Sequence, residues 1–131
     1  MVPLVALLAL LLFPVAVLFF VRKRFPQYLF LLCGLAFGAV ASPASMGLYS
    51  LYFAGPIPGV FGMLVGLPLS MFHGVPGYEI ALWTGLIPPR TVVDDTQRIY
   101  LWFIDGIFWA LVYGLVGWGI DTFRSHRYAQ Q

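Results

Sequence analysis

Charge is almost absent from this sequence, and its placement governs what the chain can fold into. Of 131 residues, seven are Lys or Arg and five are Asp or Glu. Ten of these twelve fall in three groups: Arg22-Lys23-Arg24, then Arg90 with Asp94, Asp95 and Arg98, then Asp121 with Arg124 and Arg127. From Phe25 to Pro89 the sole charge is Glu79. Soluble domains devote about 25% of their residues to charge, largely to cover the surface. The 9% found here is too little for that. The sequence therefore predicts an all-α integral membrane protein, because a helix satisfies its own backbone polar groups in hydrocarbon.

The rest of the composition excludes other classes. A net charge of +2 would suggest nucleic acid in a soluble chain. Here the basic residues border apolar runs, where they orient a chain in the bilayer, and no nucleic-acid partner is expected. Cys33 is the single cysteine, which excludes an intramolecular disulfide or a cysteine metal cage. His73 and His126 lie far apart in sequence, against a bis-histidine haem, so neither metal nor other cofactor is expected. There is no Asn, and all the basic residues except Lys23 are Arg, a bias that fits a bacterial genome and hence a bacterial inner membrane.

Three apolar runs read as full spans within one transmembrane domain, 1–131. Residues 1–21 carry no charge and would extend about 31 Å as a helix, matching the ~30 Å hydrocarbon core. Arg22–Arg24 follow this run instead of preceding it, the reverse of a secretory signal. That order predicts an N-terminus outside and Arg22–Arg24 in the cytoplasm. Residues 28–53 form the second span, with Ser42-Pro43 as an expected kink and Tyr28, Tyr49 and Tyr52 at its ends. Residues 99–120 form the last, between Arg98 and Asp121. A polar tail, 121–131, would then be cytoplasmic, with Arg124 and Arg127 meeting anionic headgroups. Asp94, Asp95, Thr91 and Thr96 are candidates to cap the last helix.

Residues 55–89 are apolar but punctuated by Gly and Pro at both ends and at His73-Gly-Val-Pro-Gly77. They read as an apolar helical hairpin, re-entrant or interfacial, turning near 73–77. Four spans are the main alternative and five a further one.

Small residues recur every four positions at Gly34, Gly38 and Ser42, and again at Gly106, Ala110 and Gly114. Such stripes let helix backbones approach closely in lipid, within one chain or between subunits. Four polar residues stand out: His73, Glu79, Arg98 and Asp105. Asp105 lies about two turns inside the last span, on a helical face with Arg98, Trp102, Trp109 and Tyr113. A carboxylate there is paired, protonated or hydrated. The structural possibilities are a pair with Arg98, or a hydrogen bond to a tyrosine or to a backbone group freed at a kink. The functional one is proton or ion handling, with His73 and Glu79 brought close by a dipping hairpin.

No catalytic constellation is present in the sequence. The expected role is therefore non-enzymatic: an accessory subunit packing against lipids and larger membrane partners, a membrane immunity protein being one variant. The alternative is a homo-oligomeric pore or small transporter using Asp105. A three-span chain with its N-terminus out and its tail in shares that topology, and no motif, with one class of phage holins.

Overall fold

The structure is a computed structural model and describes residues 2–89 and 93–128. Arg90, Thr91 and the last three residues of the expected tail lie outside the described residues, as does the side chain of Arg127. Four long helices follow one another: α1 (Val2–Arg24), α2 (Leu29–Ser50), α3 (Pro56–Trp83) and α4 (Asp95–Tyr128). Among the described residues there is no strand. The segments Pro26–Phe53, Pro56–Trp83 and Thr96–His126 are long and apolar enough to cross a membrane. Leu12, Phe19, Phe53, Leu64, Phe103 and Leu115 are among many large apolar side chains on the outer surface, the distribution expected where the surrounding solvent is lipid.

α2 and α4 form the centre of the bundle. Their backbones approach so closely that a Cβ on Gly34 would overlap the Tyr113 carbonyl, and one on Gly38 the Trp109 carbonyl. On the other side of the seam Gly106 lies against Ala39, Gly114 against Leu35 and Gly117 against Phe30. The two small-residue stripes thus border one interface, offset instead of meeting face to face. Matched positions fall on α4 as they rise on α2, so the two helices are antiparallel. α2 continues through Pro43 without a break. Among the long helices, α1 packs against α2 alone.

The hairpin expected over 55–89 does not form. Pro56–Trp83 is a single helix, and each of its breakers is accommodated. Pro56 and Pro58 lie in the first turn, where no helical N–H is needed. Pro68 follows a π-helical turn, Gly62–Gly66, whose wider ring of hydrogen bonds ends at Leu67. Pro76 lies inside the helix and is supported from outside it, as described below. The glycines read as turn signals form a contact stripe instead. Gly59, Gly62, Gly66, Ser70, His73, Gly77 and Ala81 are all buried on one face. The Gly62 and Gly66 backbones lie against Tyr52 and Tyr49.

These contacts fix where α3 begins and ends. Its first turns lie at the end of the bundle where α2 finishes. α4 starts at that same end, because its far end, Asp121, reaches the first turn of α2. α3 and α4 therefore both start at one end of the bundle, and α3 runs from it as one inclined helix. Gly62 to Gly77 is about 22 Å of helix, yet their counterparts on α2, Tyr52 and Ser42, are about 15 Å apart along the axis. α3 thus crosses the α2–α4 pair obliquely.

Its end is sealed by its own backbone. Gly85 takes a left-handed φ of 73°, Gly85 N donates to Leu82 O at 3.2 Å and Leu86 N to Ala81 O at 2.9 Å, a Schellman motif. Thr84 N donates to Ile80 O and Ile87 N to Ala81 O, while Pro88 and Pro89 have no N–H. No backbone donor from Thr84 to Pro89 is left to water. α4 opens with a reciprocal capping box, Gln97 N to Asp94 Oδ1 at 2.7 Å and Asp94 N to Gln97 Oε1 at 3.1 Å, so Asp94 is the cap among the sequence candidates. The expected tail continues as helix to Tyr128.

Replacing Gly38 by Ala should lower stability by about 1–3 kcal/mol through overpacking at the α2–α4 seam. Gly74→Ala meets open space and should raise stability by up to ~1 kcal/mol through helix propensity. Reversible unfolding in mixed detergent micelles, followed by circular dichroism, compares the two.

Candidate functional site

Where α3 crosses α2 and α4, buried and half-buried polar side chains of all three helices converge. Ser42 and Ser45 come from α2, His73 from α3, and Asp105, Trp109 and Tyr113 from successive turns of α4. Asp105 is 2% exposed and His73 5%. Hydrogen bonds join these groups across the three helices and to the backbone of their own.

Pro76 interrupts α3 beside this cluster. In an uninterrupted helix Pro76 would donate to Phe72 O, and Gly77 N to His73 O. The proline has no N–H, and its ring crowds the preceding turn. The two polar groups beside this interruption are engaged by α4. Asp105 Oδ1 accepts from Gly77 N at 2.6 Å, and Trp109 Nε1 donates to His73 O at 2.9 Å. Acceptor and donor are four residues apart on α4 and so stand one above the other on the same face. Gly77 must be glycine for this contact, since a Cβ would overlap the Asp105 carboxylate. The second carboxylate oxygen accepts from Ser42 Oγ at 3.3 Å.

His73 extends the network. Its Nδ1 lies 3.0 Å from Leu69 O and 3.2 Å from Ser45 Oγ, while Nε2 lies 3.1 Å from Tyr113 Oη. A carbonyl can only accept, so in the neutral ring Nδ1 carries the proton and Nε2 accepts from the tyrosine hydroxyl. Ser45 donates to the Ala41 carbonyl of its own helix. The Trp109 ring packs edge-on to His73, with centroids 5.0 Å apart, and stacks on Tyr113 at 5.3 Å. Among the described residues no buried side-chain nitrogen or oxygen lacks a hydrogen-bond partner.

Of the four polar residues singled out in the sequence, the fold brings two together. His73 and Asp105 share this cluster. Glu79 is exposed on the opposite face of α3, and Arg98 is exposed near the start of α4. Asp105 bonds to a backbone N–H at a proline interruption instead of to Arg98. Trp102, on the sequence face of Asp105, points outward. Ser45 and Tyr113 complete the cluster without having been assigned a role. The period of Asp105, Trp109 and Tyr113 was visible, but nothing in the sequence paired that face with Pro76.

A second carboxylate does related work at the other end. Asp121 is buried, and its Oδ2 accepts from Leu31 N at 2.9 Å, in the first turn of α2. That helix has no side-chain cap of its own. Asp121 supplies one from α4, placing negative charge at the positive end of the α2 dipole. Arg124 lies over the Phe30 ring at 5.2 Å in the same turn.

Among the described residues no three His, Cys, Asp or Glu side chains gather as a metal site requires. An apolar cavity of about 340 Å³ lies between α1, α2 and α3, with His73 and Ser45 at its wall. Comparison with known proteins finds no match: no family model, no curated protein and no solved structure aligns with the chain.

Asp105→Asn keeps an acceptor for Gly77 and should change stability by less than about 1 kcal/mol. Asp105→Ala removes the acceptor of Gly77 N and Ser42 Oγ and should cost about 1–3 kcal/mol. Asp121→Ala should cost about 1 kcal/mol as a lost cap. Denaturant titration of the three variants tests this order.

Proposed function

We propose that this chain is a small, non-enzymatic membrane subunit that acts by packing against other membrane proteins. The observation that carries this reading is the direction of its polar groups. Both oxygens of Asp105 and both ring nitrogens of His73 are spent on holding α2, α3 and α4 together, and Asp105 faces its own bundle. A pore between copies lined by Asp105 would need that carboxylate on an outer face. Contact surface is abundant by contrast. Between α2 and α4 runs an apolar groove of about 400 Å³, floored by Ala39, Pro43, Gly106 and Ala110 and walled by Trp102 and Phe103. Small residues between bulky ones make a floor that another membrane helix can approach.

The reading includes an orientation. α1 ends, α2 begins and α4 finishes at one end of the bundle. That end collects Arg22, Lys23, Arg24, Arg124 and Arg127, five of the seven basic residues. The excess of basic residues supports a cytoplasmic location for it, in a bacterial inner membrane, with the N-terminus and the 54 and 93 loops outside. α1, α2 and α4 then cross fully, and α3 enters from outside.

Two measurements test these statements. In a Cys33→Ser background, single cysteines at positions 54 and 93 should react with impermeant maleimide from the outside, and one at 125 only after permeabilisation. Labelling of 93 and 125 from the same side overturns the orientation. A photo-crosslinker at Trp102 should give a discrete product with a different membrane protein in cells, and the purified chain should carry no ion flux in liposomes. Flux through a discrete homo-oligomer, abolished by Asp105→Asn, would replace this reading with the pore.

A further inference from the structure

The outer face of α3 carries a carboxylate in an otherwise apolar stripe. Val75, Glu79 and Trp83 repeat at helical spacing on the side away from α2 and α4, and all are exposed, Trp83 at 91%. A shallow hollow of about 250 Å³ lies beside the carboxylate, lined by Glu79, Ile80, Trp83 and Thr84. Among the described residues Glu79 has no hydrogen-bond or ion-pair partner. Its depth follows from the contacts. Glu79 is half a turn past Gly77, which bonds to Asp105, and Asp105 is about 10 Å of helix below Arg98. Glu79 therefore lies well inside the apolar layer, where a lone carboxylate costs several kcal/mol.

We infer that the Glu79 face of α3 docks a membrane-spanning helix of a different protein, one that carries an Arg or Lys at this depth. The inference rests on the interaction-subunit reading and names the surface that reading leaves open. Charge complementarity selects the partner. A hydrophobic helix would leave the carboxylate buried and unmatched, whereas a cation in the hollow would pair with it in a medium that strengthens the attraction. A second copy fits less well. Copies related by an axis along the membrane normal keep each residue at its own depth. This chain has no Lys or Arg between Phe25 and Pro89 or between Ile99 and Phe123. The helix end beside Glu79 is already sealed by the Gly85 motif and by Thr84, so the partner need supply only the cation and apolar surface.

The test uses the full chain in phosphatidylcholine vesicles, with a donor dye on Leu86→Cys in a Cys33→Ser background. The probes are acceptor-labelled, 22-residue Leu/Ala peptides with either Arg or Gln at the eighth position. Energy transfer should show the Arg peptide binding about tenfold more tightly than the Gln peptide, an advantage of the size of one interhelical polar contact. Glu79→Leu should abolish the preference, and Glu79→Lys should shift it to a peptide carrying Glu. Equal binding of the two peptides, or a preference that survives Glu79→Leu, overturns the proposal. So does self-association that depends on Glu79, which would assign the face to a second copy. A heterologous crosslink at Trp102 without peptide discrimination would remove this surface and leave the subunit reading standing. The absence of both would remove the two together.

Discussion

A proline inside a packed helix removes one backbone donor and crowds the turn before it, and the centre of this bundle is arranged around that constraint. α3 carries a proline at 76 in the middle of the bundle, and the polar groups on either side of the interruption are met from α4 by Asp105 and Trp109. Leaving a single buried N–H unmet costs about 1–3 kcal/mol, comparable to the whole advantage of one helix–helix contact. The oblique path of α3 depends on this clamp. It is held at one end by glycine contacts with Tyr49 and Tyr52, and at its crossing point by two hydrogen bonds from neighbouring turns of α4.

The same economy appears where α4 meets α2. The glycines at 34 and 38 bring the two backbones into contact, which supplies dispersion energy without a hydrophobic driving force. Close approach also brings α4 near enough for a short Asp side chain to reach the first turn of α2 at Leu31. Asp105 and Asp121 thus have one role in common. Each sits on α4 and accepts from a backbone N–H of another helix.

Much of this was legible in the sequence and some was not, for reasons that can be stated. The apolar runs and their charged borders mark the long helices because hydrophobic length and charge exclusion are properties of single segments. The small-residue stripes are legible for the same reason, though their offset across the α2–α4 seam needs two helices in register. Residues 55–89 misled because Gly and Pro break helices in water, where a freed carbonyl can be hydrated and a glycine has nothing to pack against. Inside a bundle the glycines at 59, 62, 66 and 77 become the contact face, and a π-turn and two α4 side chains absorb Pro68 and Pro76. Asp105 could be recognised in the sequence as needing a partner. That the partner is Gly77 N–H is a fact of tertiary structure.

The two charges that did not mark a segment end have opposite fates, and the contrast bears on function. Asp105 points inward, and its need is met by its own chain, so its presence is explained by folding alone. Glu79 lies at nearly the same depth on the outward face of α3, where nothing among the described residues meets it. A carboxylate in that position does not help this chain fold, because an apolar residue would serve the same exposed stripe at lower cost in lipid. The proposed second helix, supplying the cation, would complete this face. An incomplete surface of this kind is what the proposed assembly subunit would carry.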